Sequence, residues 1–121
     1  MTQIRHYKEF DVYQKAYRAA LKLHRLADKF PKSEYFGLAD QVKRSSKSIT
    51  VNFAEGFSRN LFSRAEFKRF LVMAVGSCDE TKVWLDYAKD LGYILNEEHQ
   101  ELYLEYEEIG RMLYALWKKS F

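Results

Sequence analysis

Apolar residues recur at helical spacing in four stretches of this chain, and nowhere do they alternate long enough to build a sheet. Over 10–30, Phe10, Tyr13, Ala16, Tyr17, Ala20, Leu23, Ala27 and Phe30 share one side, and Pro31 stops the pattern. The second stretch, 33–57, carries Leu38, Val42, Ile49 and Phe53, with Ser33 suited to be its N-cap. The third, 63–91, opens on Ser63-Arg64-Ala65-Glu66, a capping-box pattern. Its apolar row is Phe67, Phe70, Leu71, Ala74, Cys78, Thr81, Leu85 and Ala88, and Gly92 is placed to end it. The fourth, 96–119, starts at Asn96, a good N-cap. Glu97 and Glu98 follow, favourable against the positive end of the helix dipole. Its row is Leu102, Tyr106, Ile109, Leu113, Leu116 and Trp117. Only Tyr93-Ile94-Leu95 reads at all like a strand.

One proline and five glycines leave few breakers, so the helices are long and the connectors short: Pro31-Lys32, 58–62 and 92–95. Short connectors force neighbouring helices to run antiparallel. The expected fold is all-α, a single up-and-down antiparallel four-helix bundle over 1–121.

Composition adds limits. A chain of 121 residues, 47% hydrophobic, can bury a core without disulfides or metal. The single cysteine, Cys78, suits a reducing cytoplasm. The polar start resembles no signal peptide, and no stretch approaches the roughly 20 apolar residues of a membrane span, so a cytoplasmic protein away from membranes is expected. The net charge of +3 hides an asymmetry. Residues 1–32 carry a balance of +5, and residues 96–121 one of −3.

Two polar patterns carry candidate chemistry. Arg44, Ser48, Asn52 and Glu55, spaced 4, 4 and 3, lie on one side of the second helix beside its apolar row. A network with Ser77 and Glu80 of the third helix is expected, with Gly76 letting the two backbones approach. On the first helix, Lys15, Arg18, Lys22, Arg25, Lys29 and Lys32 form a basic stripe spaced 3, 4, 3, 4, 3. The fourth helix has an acidic row, Glu98, Glu101, Glu105 and Glu108. The stripe has three readings: a solvated face paired with the fourth helix of the same chain, a contact with the fourth helix of a second copy, or a track for a phosphate backbone.

Catalytic patterns are missing. No Glu-x-x-His pair exists, which disfavours a di-iron centre, and one Cys with three scattered His does not suit zinc. His24 borders an apolar side and reads as a packing residue. Cys78 falls on an apolar row and reads as buried and structural. There is no glycine-rich phosphate loop. No cofactor is expected.

The chain resembles the bacterial four-helix bundle proteins encoded in intervening sequences of 23S rRNA genes, related to the accessory variability protein of diversity-generating retroelements. The resemblance runs from Phe10-Asp11-Val12-Tyr13-Gln14-Lys15-Ala16 through Phe30-Pro31, Glu34, Gly37-Leu38, Gln41, Arg44, Ser48-Ile49, Asn52 and Ala54-Glu55-Gly56. It continues through Phe70-Leu71, Ala74, Gly76-Ser77 and Glu80 to Leu91-Gly92-Tyr93. Two departures are Phe10, where Leu is more usual, and Ser45-Ser46, where small apolar residues are usual and looser packing is expected. The resemblance implies a ring, a homopentamer, with no known catalytic activity. For retroelement relatives it implies binding to a reverse transcriptase and to nucleic acid. Arg44, Asn52, Glu55, Ser77 and Glu80 match the family's polar motif.

The expected function is therefore non-enzymatic: an oligomeric bundle presenting a basic surface to RNA or DNA, or to a reverse-transcriptase-like protein that handles them. The alternatives are a structural or selfish-element product with no ligand, and an enzyme using Glu55 or Glu80. Tyr7, Tyr35, Phe36, Phe62, Tyr93, Tyr103 and Tyr114 fall off the apolar rows or in connectors, and are candidate subunit contacts.

Overall fold

The computed structural model describes residues 6–119. They form four α-helices: α1 (Asp11–Ala27), α2 (Leu38–Arg59), α3 (Arg64–Asp90) and α4 (Asn96–Lys119). Single 3-10 turns occupy Tyr7–Glu9 and Lys32–Glu34, and there is no strand among the described residues. The α2–α3 contact is the most extensive, α4 packs on α3, and α1 closes the bundle against both α2 and α4. This is the up-and-down antiparallel four-helix bundle.

The helix ends show where local chemistry moved the boundaries. α1 stops at Ala27, short of Phe30, because the residue before a proline is disfavoured in the helical region. The N–H groups of Lys29 and Phe30 reach back only three residues, to the carbonyls of Leu26 and Ala27 at 3.0 and 3.1 Å. The turn tightens, and the Phe30 ring is buried. α2 begins at Leu38 rather than 33, and Ser33 lies in the 3-10 turn without capping it. Glu34 takes the capping role instead. Its carboxylate accepts the Leu38 N–H at 3.0 Å and the Tyr93 hydroxyl at 2.8 Å, tying two connectors together at one end of the bundle. The Leu38 bond first, then the Tyr93 bond, hold its pKa below the ordinary value.

At the start of α3, Ser63 Oγ accepts the Glu66 N–H at 3.2 Å, one half of the capping box. The Glu66 carboxylate turns instead to Arg69 at 3.1 Å and Arg59 at 3.6 Å. At the end of α3, Gly92 adopts φ 79°. Its N–H bonds Lys89 O at 2.9 Å and the Tyr93 N–H bonds Ala88 O at 2.8 Å, the paired bonds of a Schellman cap. A side chain at Gly92 would be strained in that left-handed conformation. For α4 the cap shifts by one. Asn96 is already helical, and Leu95 stands at the cap, its N–H donating to Glu98 Oε1 at 2.8 Å and its carbonyl accepting the His99 N–H at 3.0 Å.

The core follows the apolar rows closely on α3, where all eight expected positions are buried. On α4, Leu102, Tyr106, Ile109 and Leu113 are buried, while Leu116 and Trp117 pack at its edge. On α1, Val12 and Ala19 join the core, and Tyr17 turns out to solvent, 48% exposed. The Tyr17 ring stacks there on Tyr13, centroids 6.0 Å apart. The Tyr106 hydroxyl is buried and has no hydrogen-bond partner among the described residues.

The close crossing of α2 and α3 is made by Gly56 and not by Gly76. A Cβ on Gly56 would lie 2.6 Å from Phe70 Cβ and 3.2 Å from the Phe67 ring. A Cβ on Gly76 would meet nothing within 4 Å, because Gly76 faces outward.

Candidate functional site

The row expected as one network divides in three. Its centre is joined: Ser48 Oγ and Ser77 Oγ lie 2.8 Å apart, and Asn52 Nδ2 donates to Ser48 Oγ at 3.0 Å and to Ser48 O at 2.9 Å. These three side chains are half-buried and bridge α2 to α3. The ends are elsewhere. Arg44 pairs with Asp40 one turn earlier at 3.0 Å, out in solvent. Glu80 accepts the Trp84 indole N–H at 3.1 Å along its own helix. Glu55 is exposed and makes no hydrogen bond or ion pair among the described residues.

Beneath the centre lies a second polar layer. Thr81 Oγ1 is 2.8 Å from the Ser77 carbonyl and 2.9 Å from Ser45 Oγ. A hydroxyl has one proton, and a carbonyl can only accept. Thr81 is the donor to both, so its proton serves Ser77 O or Ser45 Oγ but not both at once, and Ser45 Oγ in turn donates to the Val42 carbonyl at 3.5 Å. Ser46 and Thr50 bond the carbonyls of Lys43 and Lys47. Ser45, Ser46 and Thr81 are as buried as the leucines around them. The signal was present in the spacing. Ser45 and Ser46 stand three and four residues from Val42 and Ile49, and Thr81 sits within an apolar row.

The basic stripe also divides. Lys22 Nζ reaches Glu101 at 3.0 Å and Glu105 at 3.2 Å, and Lys15 reaches Glu108 at 3.4 Å. Those lysines are committed to α4 of the same chain, and Glu98 is committed to the Leu95 cap. The Glu101 bond first, then the Glu105 bond, raise the Lys22 pKa above 10.5. On the other flank Lys43 of α2 reaches Asp28, holding that carboxylate's pKa down. Between these two seams, Arg18, Arg25, Lys29 and Lys32 are exposed and make no ion pair among the described residues. Exposed Lys47 stands one turn beyond Lys43, on the same flank of α2.

Cys78 is a poor nucleophile here. It is buried, its thiol donates to the Tyr106 carbonyl at 2.9 Å, and burial pushes its pKa up to about 12. His24 is half-buried. Among the described residues no group of three or more His, Cys, Asp or Glu could hold a metal ion. No helix among them is long and apolar enough to cross a membrane. Of the aromatics set aside as contacts, Tyr7 and Tyr93 pack against the core and Tyr103 is half-buried beside His99. Tyr35, Phe36, Phe62 and Tyr114 are more than half exposed.

Two comparisons place the chain among known proteins. Residues 8–115 match the model of the family described as 23S rRNA-intervening sequence protein. Among solved structures it is similar to a protein of unknown function from the S23 ribosomal protein family of Bacteroides thetaiotaomicron. The identity is 27%, the match covers 88% of this chain and 98% of that one, and the TM-score is 0.81. No curated protein matches the chain.

Proposed function

The chain belongs to the 23S rRNA-intervening sequence protein family, and from that premise we propose that it is a non-catalytic, self-associating bundle that offers the outer face of α1 to nucleic acid. The observation that carries this reading is the division of the stripe. Intrachain pairing uses up Lys15 and Lys22, yet leaves Arg18 and Arg25 on α1 exposed and without an ion pair, together with Lys29 and Lys32, which lie in the connector after α1 and not on the helix as expected. Unpaired cations on a helix and its following connector suit contacts along a phosphate backbone without reading its sequence. Self-association, a ring of five as the resemblance implies, would repeat the face and raise its avidity. The protein works in the cytoplasm on this reading. A reverse-transcriptase-like protein is the alternative partner, and a purely structural product with no ligand is the alternative function. An enzyme built on Glu55 or Glu80 is disfavoured because both carboxylates stand on open helix surface.

The test is titration of fluorescent single-stranded RNA and duplex DNA at rising salt. Binding should fall linearly on logarithmic axes as salt rises, with little preference among sequences. Reversing Arg18, Arg25 and Lys29 to Glu should abolish it while leaving helix content and assembly mass intact. Wild-type affinity in that variant would leave the face without a ligand and favour the purely structural reading.

A further inference from the structure

The connector between α1 and α2 holds two exposed aromatic rings in a stretch whose carboxylates are all taken. Between Asp11 and Glu55 the chain has nine Lys and Arg but only three carboxylates, Asp28, Glu34 and Asp40. Lys43 binds Asp28 at 2.6 Å and Arg44 binds Asp40 at 3.0 Å. Glu34 uses its two oxygens on the Leu38 N–H and the Tyr93 hydroxyl. No carboxylate of this stretch is left to answer Arg18, Arg25, Lys29 and Lys32. Tyr35 and Phe36, three and four residues after Lys32, are 64% and 89% exposed. Neither packs against the core, and their rings meet edge-on with centroids 4.8 Å apart.

The backbone that carries the rings is held by its own bonds. The Glu34 N–H donates to Pro31 O at 2.8 Å, the Tyr35 N–H to Lys32 O at 3.1 Å, and the Gly37 N–H to Glu34 O at 3.0 Å. The Glu34 carboxylate lies against Gly37, where a Cβ would come within 2.6 Å of it. Side chains three apart eclipse in a 3-10 turn, so Lys32 and Tyr35 share one side of it. A ring and a cation are thus displayed together on a backbone fixed before any ligand arrives, which lowers the cost of binding.

We propose that Tyr35 and Phe36 form a stacking platform for the bases of a single strand of nucleic acid, whose phosphates are held by Arg18, Arg25, Lys29 and Lys32. The proposal rests on the nucleic-acid part of the preceding reading and names its substrate class. Every base has a π-face, so stacking tolerates sequence as backbone contacts do. A duplex offers the same phosphates but keeps its base faces covered, and opening a step for a side chain costs unstacking that an unpaired strand avoids. Leu91 and Leu95 are also exposed at this end of the bundle, on the connector that Tyr93 ties to Glu34. Exposed Asp90 and Glu97 flank them in the chain, so phosphates are drawn to the α1–α2 side. An apolar partner seated on the rings would leave the four cations unanswered.

The test titrates a fluorescent unpaired RNA of about 12 nucleotides, alone and annealed to its complement. Three proteins are compared: wild type, Tyr35→Ala with Phe36→Ala, and Tyr35→Phe with Phe36→Tyr. Wild type should bind the single strand about tenfold or more tighter than the duplex. The alanine variant should lose that preference while its duplex affinity, helix content and assembly mass stay unchanged. Its salt dependence should also stay, since the slope counts phosphates and not rings. The aromatic exchange should bind as wild type does. Equal affinity of wild type for both forms, or an alanine variant that keeps the preference, would overturn the platform and leave the basic face standing as the binding surface. A fall in assembly mass in the alanine variant would make the rings a subunit contact and overturn the platform too. A wild type that binds neither form would overturn the nucleic-acid reading itself, and the platform with it.

Discussion

The α2–α3 seam and the α1–α4 rim are both lined with polar side chains, and they do opposite work. The seam uses short hydroxyls and one amide, sunk among apolar residues, each within about one bond of a partner across the groove or one turn away. The rim uses long lysines and glutamates meeting in solvent, where Lys22 and Glu101 remain about half exposed. Short side chains let α2 and α3 approach closely, and a lost bond there strands a buried group. Long side chains give up freedom to meet, and water screens what they gain. A polar stripe in a sequence is thus a structural element when its members are small and flank small core residues, and a surface when they are long.

The sharpest way to break this contrast is at Gly56. Gly56→Ala should destabilise the bundle by about 1–3 kcal/mol, since its Cβ would press on Phe70 and the helices must part. Urea unfolding measures it, and an unchanged midpoint would show that the crossing is slack. Next, Thr81→Val keeps the shape but removes the donor to Ser77 O and to Ser45 Oγ. We expect a loss of about 1–2 kcal/mol. Adding Ser45→Ala should recover part of it, and strict additivity in the double-mutant cycle would deny the bond. Gly76→Ala should stabilise by up to about 1 kcal/mol, because an open helical site gains propensity with no clash. The opposite signs of the two glycine variants are the point of the pair.

The smallest effect belongs to the rim. Lys22→Ala should cost at most about 1 kcal/mol, and less at high salt. Its pKa is raised on folding, so its contribution is fully present below pH 10.5 and disappears as pH climbs through the raised value. A melting temperature that drops several degrees at neutral pH in Lys22→Ala would make the rim a true seam.

Much of this was legible in the residues. The rows of α3 and α4 and the Gly92 stop follow from spacing alone, because long amphipathic helices with few breakers leave few alternatives. Helix starts were harder. Ser33 and Asn96 have capping side chains, yet Glu34 and Glu98 reached the open N–H groups first, a choice made by three-dimensional reach rather than residue type. Gly76 was misassigned, and Gly56 missed, for a similar reason: which glycine faces the neighbouring helix depends on rotation about α2 and α3, which the one-dimensional pattern constrains only loosely. The polar motif shows the same limit. Spacing put Arg44, Ser48, Asn52 and Glu55 on one side, but only Ser48 bonds across to α3, and Asn52 joins by bonding Ser48 on its own helix. The basic stripe was visible, while its division into paired and unpaired cations required knowing that α4 lies beside α1.

That division is the central claim, and one crossed comparison tests it. Two variants are made in the same helix: Arg18→Glu with Arg25→Glu on the outer row, and Lys15→Glu with Lys22→Glu on the row facing α4. Affinity for a fluorescent RNA and unfolding midpoint in urea are measured for both at one fixed salt concentration. The account predicts that the outer pair loses binding by about tenfold or more with its midpoint unmoved. The inner pair, which sets Glu against Glu101, Glu105 and Glu108, should lose stability. Equal loss of binding in both variants at equal stability would show that the stripe acts as one undivided charge, and would contradict the account.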